Sequence, residues 1–375
     1  MLNRCLSIAL TLAMLTGCAT APRNGHLVIA GGNPGPHDDA IYGRVMELAG
    51  PGAPIGVLLT ASGIPEESGP EHLADFNERG GTATLIDIPM DSVADASDPA
   101  KAAQIEAKRA IFFVGGDQSR IIRAFRPDTG DTVAYTALWR VLDRGGVISG
   151  SSAGAAMMCD PCIRGGPSEE ALLNGLSTDL EEGFRVDRGM GFFPYGTVDQ
   201  HFLVRGRLGR LVAAMEITGE KRGFGVEEAR AMSVDLATHA IEAIGPRSVM
   251  IVETNRARRD GLRRTGIEVS LLGDGDRIHG KTGKIDPVAG KSIRAGGSGT
   301  LAETRQPAWE ECAISEAMIA LAASADESVT LSSEAFDLVF SKTNRTQIYG
   351  TASESWTDDP TIIRMKLDIL PRAPG

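Results

Sequence analysis

The stretch GVISGSSAGAAMM, residues 146–158, holds the residue types and spacing of an activated hydroxyl. In G-x-S-x-G a strand turns sharply into a helix and leaves a serine Oγ at the end of a sheet, where it can attack a carbonyl carbon. Ser152 has Gly150 and Gly154 at the required offsets, whereas Ser151 has Ser149 and Ala153. Small residues suit any tight strand-to-helix turn, so the pattern needs a base, a carboxylate and oxyanion donors from elsewhere in the chain. Of the histidines at 26, 37, 72, 201, 239 and 279, His201 stands apart by its company, Asp199-Gln200-His201-Phe202 followed by Arg205, Arg207 and Arg210. On a helix beginning near Phe202, Arg207 and Arg210 are i, i+3 neighbours. Such a run is either a solvated basic face or a carboxylate-binding cluster; in an acidic protein the planar guanidinium fork favours the second. The segment GFGVEEA (223–229) puts Glu227 and Glu228 at the end of a glycine-marked strand, and alternation lets only one of them face the imidazole. The backbone N–H of Ala153, with one from the Gly115-Gly116-Asp117-Gln118 loop, Gly116, would hold an oxyanion. The resulting order, Ser…His…Glu, matches none of the α/β-hydrolase, chymotrypsin or subtilisin orders.

These residues must be positioned by strands and turns. Strand-like runs stand at 26–30, 54–60, 82–88, 110–114 and 146–149, separated by helix-like stretches at 38–49, 66–79, 98–108 and 117–143. Short apolar runs alternating with amphipathic segments predict βαβ units and a mostly parallel sheet covered on both faces. Ligands then sit at the carboxyl ends of the strands. The loops GGNPGP (31–36), GGDQSR (115–120) and the Ser152 turn all fall there. Helix following Ser152 is expected to stop by Pro161. Beyond residue 222 strand signals crowd together, and from about 256 the chain is richer in Gly, Ser and Thr, with runs at 267–272, 328–332 and 362–370. This predicts a catalytic α/β domain over 26–255 and a β-rich extension over 256–375 packed on it.

A formal net charge of -11 argues against nucleic-acid binding, whose footprint is basic. The first 23 residues are a targeting segment: Arg4, an apolar run over 5–15 too short to span a bilayer in the usual way, then Leu15-Thr16-Gly17-Cys18. That tetrapeptide resembles a bacterial lipobox, which implies cleavage before Cys18 and lipid on its sulfur; Ala19 after it favours the outer membrane. In the oxidising compartment this implies, Cys159 and Cys162 are either a local disulfide or inert thiols, and one such pair is too few for a zinc site. Residues 275–282 fit the nucleotide-binding G-x-x-x-x-G-K-[ST] pattern, but Gly283, Pro287 and Gly290 cannot sustain the helix it requires, so a turn between strands is expected.

Together, SGSSAGAAMM, VDQHFLVRGRLGRL, FFVGGDQSR and GFGVEEA resemble the cyanophycinase family of serine peptidases, which includes aspartyl dipeptidases. The similarity spans roughly residues 26–255. It implies a flavodoxin-like α/β fold related to class I glutamine amidotransferases, often a homodimer, with Ser152, His201 and Glu228 as the triad. Glu227 replaces an aspartate of the family pattern. Gln118, Asp199, Gln200, Arg205, Arg207 and Arg210 match the family's substrate-pocket positions, and no metal or organic cofactor is implied. The substrate implied is cyanophycin, a poly-aspartate with arginine on each side-chain carboxyl, released as β-aspartyl-arginine. The alternatives are a same-fold peptidase for other acidic or isoaspartyl peptides and a silent peptide-binding lipoprotein; an intact serine, histidine and glutamate weigh against silence.

Overall fold

A computed structural model describes residues 24–35, 38–178, 183–247, 249–294, 297, 299–301, 307–351 and 359–373. The segment expected to direct targeting, with Cys18, and His37 lie outside the described residues. Five parallel strands open the chain: β1 (His26–Ala30), β2 (Pro54–Leu58), β3 (Thr82–Leu85), β4 (Ala110–Phe113) and β5 (Val147–Ser151). They lie in the order β3-β2-β4-β5-β1. The run β3-β2-β4-β5 repeats the 2-1-3-4 start of a flavodoxin-like sheet, and β1 takes the fifth place. Val28, Val57 and Phe112 pack on α1 (Tyr42–Ala49) and α2 (Pro65–Glu78) through Tyr42, Val45 and Phe76. Leu27, Ile111 and Ile148 face the other layer, which gathers α3 (Val93–Ala96), α4 (Pro99–Glu106), α5 (Gln118–Phe125) and α6 (Val133–Asp143). Both faces of β1, β2, β4 and β5 are thus buried, which is why these four read as continuous apolar runs, whereas β3 is the largely exposed edge of the sheet.

The helical stretch predicted over 117–143 is two helices, because Pro127 and the turn to Gly130 interrupt it after Phe125. After β5 comes one turn of helix, α7 (Ala153–Ala156), ending well short of Pro161. A hairpin of β6 (Cys162–Arg164) and β7 (Arg185–Asp187) encloses α8 (Ser168–Asn174). Cys159 and Cys162 are free, buried thiols, so of the two expectations the inert thiols hold. Burial pushes Cys159 up to about 12.

A second sheet starts with β8 (Thr197–Gln200) parallel to β9 (Arg222–Val226), with α9 (Leu208–Thr218) between them. β10 (Ala231–Asp235) and β11 (Ala240–Ile244) return to the first sheet as antiparallel strands beside β1. β12 (Val249–Glu253) pairs with β9, and after β13 (Arg258–Asp260), β14 (Arg263–Leu272) pairs with β12. β15 (Arg277–His279) and β16 (Ile285–Asp286) extend the first sheet. The G-x-x-x-x-G-K-T match ends in the turn joining those two strands, where Gly283 N–H donates to the His279 carbonyl. The strand Thr361–Pro371 then pairs with β14 and packs against α10 (Ala313–Ala322), which contributes to the same core as α9. The boundary expected at 255 falls between β12 and β13, within the run of a single sheet. The β-rich C-terminal part is continuous with the sheet that begins at β8, because β14 needs β12 as its hydrogen-bonding neighbour.

Candidate active site

Ser152 follows directly on β5 with φ 54 and ψ -108, a strained conformation for a residue bearing Cβ. Its flanking glycines explain how the turn closes. A Cβ on Gly150 would stand 2.6 Å from the Gly154 carbonyl oxygen, and one on Gly154 would stand 2.4 Å from that of Phe113. Ser151, by contrast, is buried within β5 opposite Ala30. The turn thus presents Ser152 and hides its neighbour.

His201 comes to it from the second sheet. β8 ends at Gln200, and His201 turns at φ 46 with its N–H donating to the Gly31 carbonyl at 2.8 Å. A Cβ on Gly32 would lie 2.2 Å from His201 Cε1, so only glycine lets this backbone pass the ring. The first Gly-rich loop therefore shapes the imidazole's seat. His201 Nε2 stands 2.8 Å from Ser152 Oγ, and Nδ1 is hydrogen-bonded to Glu228 Oε1. Asn33 Nδ2 donates to the other oxygen of Glu228 at 3.4 Å. Asn33 is a contact that sequence reasoning missed; its only signal was a polar residue inside a glycine loop.

β9 ends at Val226, so strand alternation does not govern the two glutamates beyond it. Glu228 turns to His201, while Glu227 accepts the N–H groups of Leu203, of Val204 at 3.0 Å and of Glu228 at 2.7 Å. The Leu203 and Val204 amides belong to the turn over 201–207, which is not helical. The helix expected from Phe202 begins at Leu208, with Arg207 as its N-cap. The turn is braced from the C-terminal part of the chain: Cys312 N–H donates to the Leu203 carbonyl at 3.1 Å.

The pocket residues expected from sequence divide into three groups. Asp199 and Arg210 are 1% and 4% exposed and bind each other at two points, 2.6 and 2.7 Å. Arg210 Nη1 also donates to the Gly165 and Gly166 carbonyls. The carboxylate that Arg210 meets in this structure is Asp199, so the two are engaged with each other. Arg207 Nη1 is likewise turned onto the backbone and side-chain oxygens of Gln200, at 2.7 and 2.9 Å. Gln200 is itself buried. Arg205 differs, with its side chain 52% exposed and Nη2 3.9 Å from Glu228 Oε1. Gln118 opens α5, where its Nε2 donates to the Ile163 carbonyl at 2.7 Å and its side chain borders a cavity.

Gly115 and Gly116 pass beside the serine, a Cβ on Gly115 falling 3.3 Å from Ser152 Cβ. Ala153 is the first residue of α7, and its N–H, like that of Gly116, has no acceptor among the described residues. Burial, with the charges of Arg205 and Arg207 nearby, holds the His201 imidazolium below the usual histidine range, although Glu228 opposes this. The ring is then neutral at neutral pH and able to take a proton from Ser152. Burial also pushes Arg207 down to about 10. Among the described residues no cluster of His, Cys, Asp and Glu could hold a metal ion.

A strand-end serine in contact with an imidazole that contacts a carboxylate is the arrangement of a serine-type peptidase, and that is the class of this molecule. The cyanophycinase of Geminocystis herdmanii is 32% identical over 279 residues, covering 72% of this chain and 97% of its own. That of Synechococcus elongatus is 30% identical over 283 residues, covering 71% and 83%. The chain belongs to the cyanophycinase family. No family model matches it. A solved peptidase from an acI-B1 actinobacterium overlaps 69% of this chain and 98% of its own at 16% identity, with a TM-score of 0.49.

Proposed function

We propose that this protein is an exported, lipid-anchored serine peptidase that cleaves aspartyl-containing peptide bonds, cyanophycin first among them, releasing β-aspartyl-arginine. The observation that carries the reading is the unbroken line of contacts from Ser152 Oγ through His201 to Glu228, in a chain whose relatives are cyanophycinases. Ser152 Oγ attacks the scissile carbonyl while its proton passes to His201 Nε2. Glu228 holds Nδ1–H and stabilises the imidazolium. The oxyanion accepts from the N–H groups of Gly116 and Ala153. His201 then protonates the leaving nitrogen, an acyl-enzyme forms on Ser152, and water activated by the same imidazole releases the acid. Arg205, exposed beside Glu228, is positioned to attract an anionic substrate.

Export and anchoring rest on Leu15-Thr16-Gly17-Cys18 and the apolar run before it. A lipid on Cys18 would keep the enzyme at a membrane surface and restrict it to substrate outside the cytoplasm. No described helix is long and apolar enough to cross a membrane.

The test is incubation of the protein, expressed from residue 19 onward, with cyanophycin and separately with short aspartyl and isoaspartyl peptides, with mass analysis of the products. β-Aspartyl-arginine from cyanophycin is the expected result. Cleavage of acidic or isoaspartyl peptides alone would assign the enzyme to another substrate, and no cleavage of any would sink the reading.

A further inference from the structure

A cavity of about 660 Å³ opens beside Gln118, within the range of small-ligand sites. Its place ties it to the reacting serine. One wall is the start of α5, directly after the Gly115–Gly116 loop that passes Ser152. The opposite wall is the β6–β7 hairpin, joined to the first by the hydrogen bond from Gln118 to Ile163. The chain beyond β6 is pinned in turn by Arg210, whose guanidinium bonds Gly165, Gly166 and the Asp199 carboxylate two residues before His201.

The cavity is lined by five arginines and only three aspartates, and the pairings among them are unequal. Arg123 is matched at two points by Asp91, at 2.8 and 3.2 Å. Arg126 is matched by Asp160 at 2.7 Å and by Asp131 at 3.1 Å. Arg164 and Arg185 share a single carboxylate, Asp187, at 3.6 and 3.5 Å. Arg188, exposed, makes one bond of 3.4 Å to the Arg126 carbonyl. Asp128, the remaining acid of the lining, is exposed. A guanidinium carries five N–H donors; among the described residues Arg164 and Arg185 meet one carboxylate, Asp187, and Arg188 meets only the Arg126 carbonyl, so most of their donors have no partner there.

We propose that Arg164, Arg185 and Arg188 form a specificity subsite that binds a carboxylate of the substrate, namely the free α-carboxylate of an arginyl branch flanking the scissile bond. For the substrate class this rests on the aspartyl-peptidase reading above. It moves carboxylate recognition from the run 205–210, where Arg207 and Arg210 are engaged internally, to the hairpin. The planar fork suits two-point binding of a carboxylate. An amide in its place would forfeit the charge and one of its acceptor oxygens.

Binding is measured by calorimetry to the Ser152→Ala protein, so the result does not depend on turnover. The probes are a short β-aspartyl-arginine peptide with free α-carboxylates and the same peptide with every arginyl carboxyl amidated. The free acid should bind about tenfold tighter or more, and Arg164→Gln and Arg185→Gln should each erase most of that preference while leaving amide binding little changed. Arg188→Gln, an exposed change that cannot unfold the hairpin, should reduce the same preference in part. Equal binding of both probes, no binding of either, or a preference that survives all three substitutions would overturn the subsite. Failure of the wild-type enzyme to cleave cyanophycin would instead count against the proposed function, since the binding result stands without it.

Discussion

Glu227 and Glu228 are adjacent in the chain, yet their carboxylates have divided the work of holding His201. Glu228 meets the ring at Nδ1, whereas Glu227 gathers the amides of Leu203 and Val204 and so holds the turn that carries the ring. Glu228→Gln is expected to lower kcat on the order of 10⁴ with KM nearly unchanged, as the serine-protease precedent for loss of an orienting carboxylate suggests. Glu227→Gln should cost far less in kcat but lower the melting temperature, since one oxygen must then replace two that accept three N–H groups; about 1–3 kcal/mol is the scale. Steady-state kinetics and thermal melts on both variants separate these outcomes. A crippled, well-folded Glu227→Gln enzyme would reverse the assignment.

Ser152→Ala should abolish hydrolysis with the melting temperature unchanged, because the hydroxyl's recorded bond is to His201. Ser151→Ala lies inside β5 and should retain most activity. Peptide mapping after treatment with a serine-directed phosphonate should place the label on Ser152; a label on Ser151 would refute the register of the turn.

The pH dependence follows from the direction of the His201 shift. The imidazole must be neutral to accept the serine proton, so activity falls as pH drops through its pKa. Burial lowers that pKa, so the acid limb of kcat/KM should have its midpoint below the ordinary histidine value of about 6.5. Removing a nearby positive charge makes protonation easier, so Arg205→Gln should move the limb to higher pH. A limb that stays in place would show that another group controls it.

Asp199→Asn leaves Arg210 buried against a neutral partner. Breaking a buried ion pair from one side costs about 3–5 kcal/mol, so the variant should melt markedly lower and lose activity through its fold. If it folds as well as wild type and shows only a raised KM, the pair binds substrate after all.

Cys18→Ala should abolish incorporation of labelled lipid and release the protein from the detergent-extractable membrane fraction. Lipid labelling that persists on this variant would disprove the anchor.

The amino-acid sequence alone determined the parts whose physics is local. Apolar runs between turn residues located β1, β2, β4 and β5 to within a few positions, because strands buried on both faces need such runs. Gly150 and Gly154 selected Ser152 over Ser151, because the turn needs both contacts free of Cβ. Tertiary structure decided the partners. Ser152 and His201 are 49 positions apart and His201 and Glu228 are 27, and they meet only because the first and second sheets place their strand ends against one another. With β9 ending at Val226, alternation could not choose between the glutamates; the amides of Leu203 and Val204 did, by claiming Glu227. The arginines after His201 look alike in sequence, but which carboxylate each one meets is a long-range outcome. Arg210 is buried against Asp199, whereas Arg205 stays in solvent. The β-rich C-terminal part joined the second sheet for the same kind of reason: an unpaired strand edge must find its neighbour in space, and β14 found β12.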